Sequence, residues 1–300
     1  MIPSVIVEPK KRYKSFTPYW RNDRILFDEF GTSVINGRFD SYRNEKIRNI
    51  ALSYASFWAD WRAIAKFLTE HPESQIYQLF NEYNLQLNSG VRKVIDQDKL
   101  IIVANFPQMT KRCKEHIQVN LNTLIFDPES ALVGQKKTQQ IIYYGMFRKD
   151  RTIYFTRYFD ENIIVSTSQK NILLFKQLGV NPLFAKQFYW GKTSILERFK
   201  FSLYLEDPHT HTHYNYPANR FYEALMFGVV QLFDRNCQRT FEIAGYDISD
   251  YLVKGRTSLH RKMEEIEKDY QAHRKIQMQW KVKAKEERAE AIEQLRPIFI

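Results

Sequence analysis

The chain has 300 residues, 45 Lys and Arg against 34 Asp and Glu, and a formal net charge of +11. That length suits one large or two medium domains, and 44% hydrophobic residues suffice for a sizeable core. Two cysteines, Cys113 and Cys237, exclude a disulfide framework and a structural-zinc spacing, and no run of about 18 apolar residues is present to cross a bilayer.

The N-terminus lacks the continuous apolar segment of a secretory signal, so a soluble protein of the reducing cytoplasm is expected. A basic balance fits a polyanionic partner or a phosphorylated substrate. In the first fifty residues Lys10, Lys11, Arg12 and Lys14 interleave with Tyr13, Phe16, Tyr19 and Trp20. This is either a nucleic-acid surface or an ordinary edge with snorkelling lysines. Ile47 to Tyr54 reads as a strand. Trp58 to Thr69 reads as a helix, with Trp61, Ala65 and Leu68 at helical spacing. Gln75 to Phe80 is the next strand, followed at once by Asn81 and Glu82. Chemistry in open α/β sheets lies beyond the carboxyl ends of strands. Glu82 is therefore a candidate catalytic carboxylate, with a plain loop glutamate as the alternative.

Lys99 to Ala104 reads as a buried strand, Pro107 to His116 as a helix and Thr123 to Phe126 as a strand ended by Asp127-Pro128. Asp96 and Asp98 have the spacing of a metal-binding aspartate pair, but three residues in a polar turn are weak support. The polar segment 134–140 reads as a linker. Ile141 to Tyr144 form a strand and Gly145 a tight turn, followed by Arg148 and Arg151. Guanidinium forks match the oxygens of a diphosphate; the alternative is a basic surface turn.

Further on, Glu161 to Ser166 reads as a strand, Lys170 to Gln177 as a helix, Gly191 as a turn before another helix, and Phe199 to Asp207 as a strand with a polar end. His209, His211 and His213 alternate, so an extended segment would aim them to one side as metal ligands. Without a fourth ligand in view, a polar loop over phosphates is the preferred reading. Asn219 to Asp234 reads as a helix closed by Gly228 and followed directly by a strand. Arg220 and Glu223 share one face at the start of that helix, where an anion is favoured. Arg220 suits a phosphate and Glu223 the two hydroxyls of a ribose. The competing reading is a solvated ion pair on an amphipathic helix. From Ser258 to about Gln294 the chain reads as one long charged helix, ended by Pro297.

Taken together, from about Ser74 onward, these segments resemble the T-even phage DNA β-glucosyltransferase family. SQIYQLFNEYN is similar to that family's strand ending in a catalytic aspartate, with Glu82 in its place. YYGMFRKDR resembles its diphosphate turn, with one spacing a residue shorter before Arg151. YWGKTS resembles its uracil turn, and ANRFYEALMFGVVQLFD its ribose and phosphate helix. The family's N-terminal glycine loop and the acidic residue after it have no counterpart here.

The resemblance implies an α/β GT-B fold of two Rossmann-like domains facing a central cleft. Residues 1–136 would form the acceptor and DNA side, 137–257 the nucleotide-sugar domain, and 258–300 a long C-terminal helix packed back across both. It implies a glycosyltransferase moving a sugar, glucose by analogy, from a UDP-sugar to a 5-hydroxymethylpyrimidine, 5-hydroxymethylcytosine by analogy, in double-stranded DNA, with inversion. Glu82 would be the base and Arg148, Arg151 and Arg220 the diphosphate ligands. Gly191, Lys192 and Thr193 would meet the uracil and Glu223 the ribose. Mg2+ or Mn2+ would assist the leaving group, and a monomer is expected. The alternatives are a non-DNA acceptor or an inactive DNA-binding relative.

Overall fold

The computed structural model describes residues 2–8, 18–31, 33–36, 46–52, 61–80, 100–104, 115–130, 137–187, 193–207 and 216–300. The chain divides into two compact units, Met1–Ile125 with Glu286–Ile300, and Phe126–Lys285.

The first unit is built on β1 (Ile2–Glu8), β2 (Ser33–Asn36), β3 (Ile47–Leu52), β4 (Gln75–Phe80), β5 (Leu100–Ala104) and β6 (Glu115–Gln118). All pairings are parallel, in the order β2-β1-β3-β4-β5-β6. Parallel strands are covered on both faces and so read as nearly unbroken apolar runs. IRNIAL in β3 behaves this way, with only Arg48 exposed. Among the described residues, helices α1 (Pro18–Phe30) and α2 (Trp61–Glu70) belong to this unit. Its core includes Ile6, Leu26, Ala51, Val103 and Leu121, joined from the chain's end by Ala291, Ile292, Leu295, Ile298 and Phe299.

The second unit holds β7 (Gln139–Tyr144), β8 (Ile163–Thr167), β9 (Leu183–Lys186), β10 (Phe199–Tyr204), β11 (Val230–Asp234) and β12 (Leu252–Val253). These are again all parallel, in the order β12-β11-β10-β7-β8-β9. Its helices are α3 (Thr152–Tyr158), α4 (Gln169–Gln177), α5 (Asn219–Met226), α6 (Gln238–Ile243), α7 (Arg256–Glu267) and α8 (Tyr270–Phe299), the last passing into the first unit's residues. Aromatic side chains fill the core: Phe221, Phe233, Phe241, Tyr246 and Trp280 meet with centroids 4.7 to 6.4 Å apart. Much of the chain's high aromatic content is thus interior packing. Winding reverses between β7 and β10, a topological switch point of the kind beyond whose carboxyl ends open α/β sheets bind ligands.

Four expectations about elements change. Thr123 to Phe126 is not a strand: Leu121–Ile125 is a buried 3-10 turn. Asn120 dictates it, accepting the Asn122 N–H on Oδ1 at 3.2 Å and the Thr123 hydroxyl on its carbonyl at 2.7 Å. The helix expected to reach His116 does not, because Glu115–Gln118 pairs with β5; residues 107–114 lie outside the described residues. The supposed linker yields its last two residues, Gln139 and Gln140, to β7.

The fourth change concerns the chain's end. One long helix is in fact two, and Pro297 does not end the second. Asp269 caps the second helix by accepting the Ala272 N–H at 3.3 Å. Beyond Pro297, Phe299 stacks on Phe30 at 5.1 Å, and the Ile298 carbonyl accepts from Ser4 Oγ and from Asn49 Nδ2, the latter at 2.7 Å. Tertiary packing outweighs the lost proline N–H.

Candidate functional site

The arginines, carboxylates and tyrosines at the β7–β10 switch point all belong to the second unit. β7 ends at Tyr144, and Gly145 follows with φ 154°, a left-handed conformation that favours glycine. A side chain there would also meet the Tyr143 hydroxyl at 3.4 Å. The chain then enters a short 3-10 turn (Lys149–Arg151) and α3, so the segment read as a turn is helical from Lys149. Arg148 is half-buried at its start, with its carbonyl accepting the Arg151 N–H at 3.1 Å.

Arg151 is only 3% exposed. Its Nε and Nη2 donate to Asp207 Oδ2 at 3.2 and 3.1 Å, and Nη2 also bonds Glu206 Oε2. Both acids lie just past β10, after Leu205. The other Glu206 oxygen, Oε1, lies 2.9 Å from Arg220 Nη2. Arg220 Nη1 reaches the Leu205 carbonyl at 3.3 Å, and its guanidinium lies 5.9 and 5.6 Å from the ring centroids of Tyr143 and Tyr204. One buried glutamate therefore bridges two arginines from distant parts of the sequence. Burial opposes the charge on Arg220, but Glu206 outweighs it and holds the guanidinium charged.

The start of α5 is fixed from below. Tyr204 Oη accepts the Ala218 N–H at 2.8 Å, and Tyr144 Oη donates to the Arg220 carbonyl at 2.7 Å. Burial, and then the adjacent Glu223 carboxylate, push the Tyr144 phenol well above its ordinary range, so it stays a neutral donor. Glu223 is fully buried. The solvated-ion-pair reading of Arg220 and Glu223 is therefore excluded. A ligand reaches the Glu223 oxygens only if covering atoms move.

The structure thus joins Arg151 and Arg220 through Glu206, and sets Glu223 beside Tyr144. Thr193 is buried at the start of a 3-10 turn, Thr193–Arg198. Glu82, Gly191, Lys192, the Asp96–Asp98 pair and the three loop histidines lie outside the described residues. β4 does run to Phe80, as expected, so Glu82 follows a strand's carboxyl end. Sequence reasoning missed Glu206 and Asp207. Their signal was present, since Glu206 stands two residues past the end of an apolar strand, as Glu82 does. No group of three acidic, His or Cys side chains able to hold a metal occurs among the described residues, and Glu206 and Asp207 are each ion-paired with arginine. A recess of about 570 Å3 beside α7, lined by Arg157, Lys254 and Arg256, is separate. Arg157 and Arg256 there already face Asp234 at 3.6 Å and Asp160 at 3.4 Å.

Two parallel six-stranded sheets with this order and a long last helix define the GT-B class of fold. Within that class, the chain is similar to T4 phage β-glucosyltransferase, at a TM-score of 0.71 and 15% identity over 99% of this chain and 100% of that one. A β-glucosyltransferase described as a DNA-modifying enzyme, solved with and without uridine diphosphoglucose, gives 0.73 at 15% identity over 99% of both chains. An α-glucosyltransferase in complex with UDP-glucose and DNA containing an abasic site gives 0.58 at 11% identity, over 97% of this chain and 95% of that one. Neither a family model nor a curated protein matches the sequence. At these identities the likeness establishes the fold.

Proposed function

We propose that this protein is a UDP-sugar-dependent glycosyltransferase acting on DNA. The reading is carried by one observation: a buried arginine–glutamate cluster, with Glu223 one helical turn from Arg220, at the switch point of a GT-B sheet. Similar solved structures hold UDP-glucose, or UDP with Mn2+, or UDP with DNA. The donor proposed here is a UDP-sugar, glucose first. The acceptor is the hydroxymethyl group of a 5-hydroxymethylpyrimidine, 5-hydroxymethylcytosine first, in double-stranded DNA.

In this reading Glu82 takes the proton from the acceptor hydroxyl as its oxygen attacks the anomeric carbon, inverting it. The bond to the diphosphate breaks, and positive charge from Arg148 and Arg220, with Arg151 behind them, meets the charge growing on the leaving group. Glu223 accepts from the ribose hydroxyls, and Gly191 and Thr193 border the uracil. Mg2+ or Mn2+ finds no protein ligand set among the described residues, so no step here depends on one. The target base leaves the helical stack to react, the protein works as a monomer, and the net charge of +11 draws it to DNA phosphates.

The test is transfer from labelled UDP-glucose and other UDP-sugars to DNA with and without 5-hydroxymethylcytosine. Transfer only to the modified DNA is expected. Loss of general-base catalysis costs about a hundredfold or more, so Glu82→Gln is expected to lower kcat by at least that factor. A variant within about threefold of wild type removes Glu82 from the role. Transfer to a small hydroxyl compound in preference to DNA replaces the acceptor and leaves the donor site intact.

A further inference from the structure

We infer that Glu206 is the positioning residue of the donor site: it aims the Arg220 guanidinium at the diphosphate and is itself anchored by Arg151. This rests on the donor-site reading above.

Arg220 is flanked by the rings of Tyr143 and Tyr204, which attract a cation but do not fix its rotation. Its contact with the Leu205 carbonyl, at 3.3 Å, is long. The ion pair with Glu206 Oε1, at 2.9 Å, is the shortest of these contacts and the only one of them to a full opposite charge, so it is the one that holds the guanidinium in position. The exposures separate the roles. The Arg220 side chain is 17% exposed and can meet a ligand, whereas that of Glu206 is 2% exposed. A carboxylate buried that deeply acts on a ligand through another group.

Arg151 completes the device. A buried carboxylate needs its charge met on both oxygens. Arg151 takes Oε2, and its other bonds to Asp207 hold it in place. Arg151, 3% exposed, is thereby one step removed from the ligand. An arginine near the start of a helix also opposes the helix dipole. Glu206 offsets that cost while leaving the remaining guanidinium N–H groups for phosphate oxygens.

The experiment compares binding of UDP and uridine, by calorimetry, to wild type, Glu206→Gln, Arg220→Met and the double variant. Uridine lacks the diphosphate and reports general damage to the site. A lost coupling of this kind amounts to roughly tenfold in affinity. Glu206→Gln is therefore expected to weaken UDP binding about tenfold and uridine binding less than about twofold. In the Arg220→Met background the same change is expected to have no further effect on UDP. Transfer assays should show KM for the UDP-sugar rising together with a fall in kcat.

Equal losses for UDP and uridine, or no loss for either, overturn the inference, as does a full further loss in the Arg220→Met background. Should Glu206→Gln not fold, Glu206→Asp keeps the charge with a shorter reach. It is expected to show the same selective loss, and wild-type UDP binding by it also overturns the inference. Wild-type protein that binds neither UDP nor uridine ends the donor-site reading and this inference with it. Wild-type protein that binds UDP, with no selective loss in the variants, ends this inference alone.

Discussion

Arg220 stands at the second position of α5, where the helix dipole disfavours a cation. Departures from a local rule concentrate where a protein works, and this one is compensated by Glu206 at 2.9 Å. Glu223, one turn on, is fully buried with the neutral Tyr144 phenol beside it. The residue types and their spacing were legible in the sequence; their burial was not, because it depends on strands that arrive from elsewhere. If Glu223 reads the ribose, wild type should prefer UDP to dUDP, and Glu223→Ala should bring the two within about twofold. Hydrogen bonds to a charged group contribute about 1.5–3 kcal/mol. UDP affinity itself should therefore fall roughly tenfold to a hundredfold, measurable by calorimetry. An unchanged preference for UDP over dUDP removes Glu223 from the ribose.

Among the elements, strands with long apolar runs were the most legible, since a doubly covered parallel strand must be apolar throughout. β4, β5, β8 and β11 fall where expected, within a residue or two. Short strands such as β9 and β12 carry too few residues to show a pattern, and exist because a neighbour offers an edge. β12 pairs with β11 only at Phe233 and Asp234. Earlier along β11, Gln277 of α8 meets the Gln231 backbone, accepting its N–H at 2.8 Å and donating to its carbonyl at 2.9 Å. A side-chain amide thus stands in for a strand. Gln277→Leu should leave two buried backbone groups unmet, at about 1–3 kcal/mol each. Urea unfolding that shows less than about 0.5 kcal/mol of loss refutes this.

At the entry to β7, Lys137 Nζ donates to the carbonyls of Glu197 at 3.1 Å and Phe199 at 2.8 Å. Burial first, and then Arg274, lower its pKa to about 8, with Glu197 opposing. An unfolded lysine titrates near about 10.4. Between those values the unfolded chain keeps a proton that the folded one has released, so this lysine's contribution to stability rises with pH. Below pH 8 both states are protonated, and the cost of burying the charge is present in full. Wild type should therefore gain stability relative to Lys137→Met as pH is raised from about 8 to about 10.4. Parallel thermal midpoints of the two proteins across that range count against it.

For the whole molecule, the decisive feature is that the chain's last residues, Glu286–Ile300, complete the first unit. Ala291, Ile292, Leu295, Ile298 and Phe299 enter a core otherwise made by residues before 126. Leu295 is fully buried. Leu295→Ala should cost about 2–5 kcal/mol in that unit, seen as a lower thermal midpoint. An unaltered midpoint shows that the end of the chain is dispensable to the core.

By itself the sequence determined the alternation of strands and helices, the strand ending before Glu82, and the pairing of Arg220 with Glu223 on one helix face. Each depends on spacing along the chain, and spacing is what periodicity records. Only the tertiary structure decided that Glu206 bridges Arg151 and Arg220, that Glu223 is buried, and that the last helix continues past Pro297. Those outcomes depend on which distant groups share a buried volume. There, leaving a charge or a carbonyl unmet costs more than breaking a local preference.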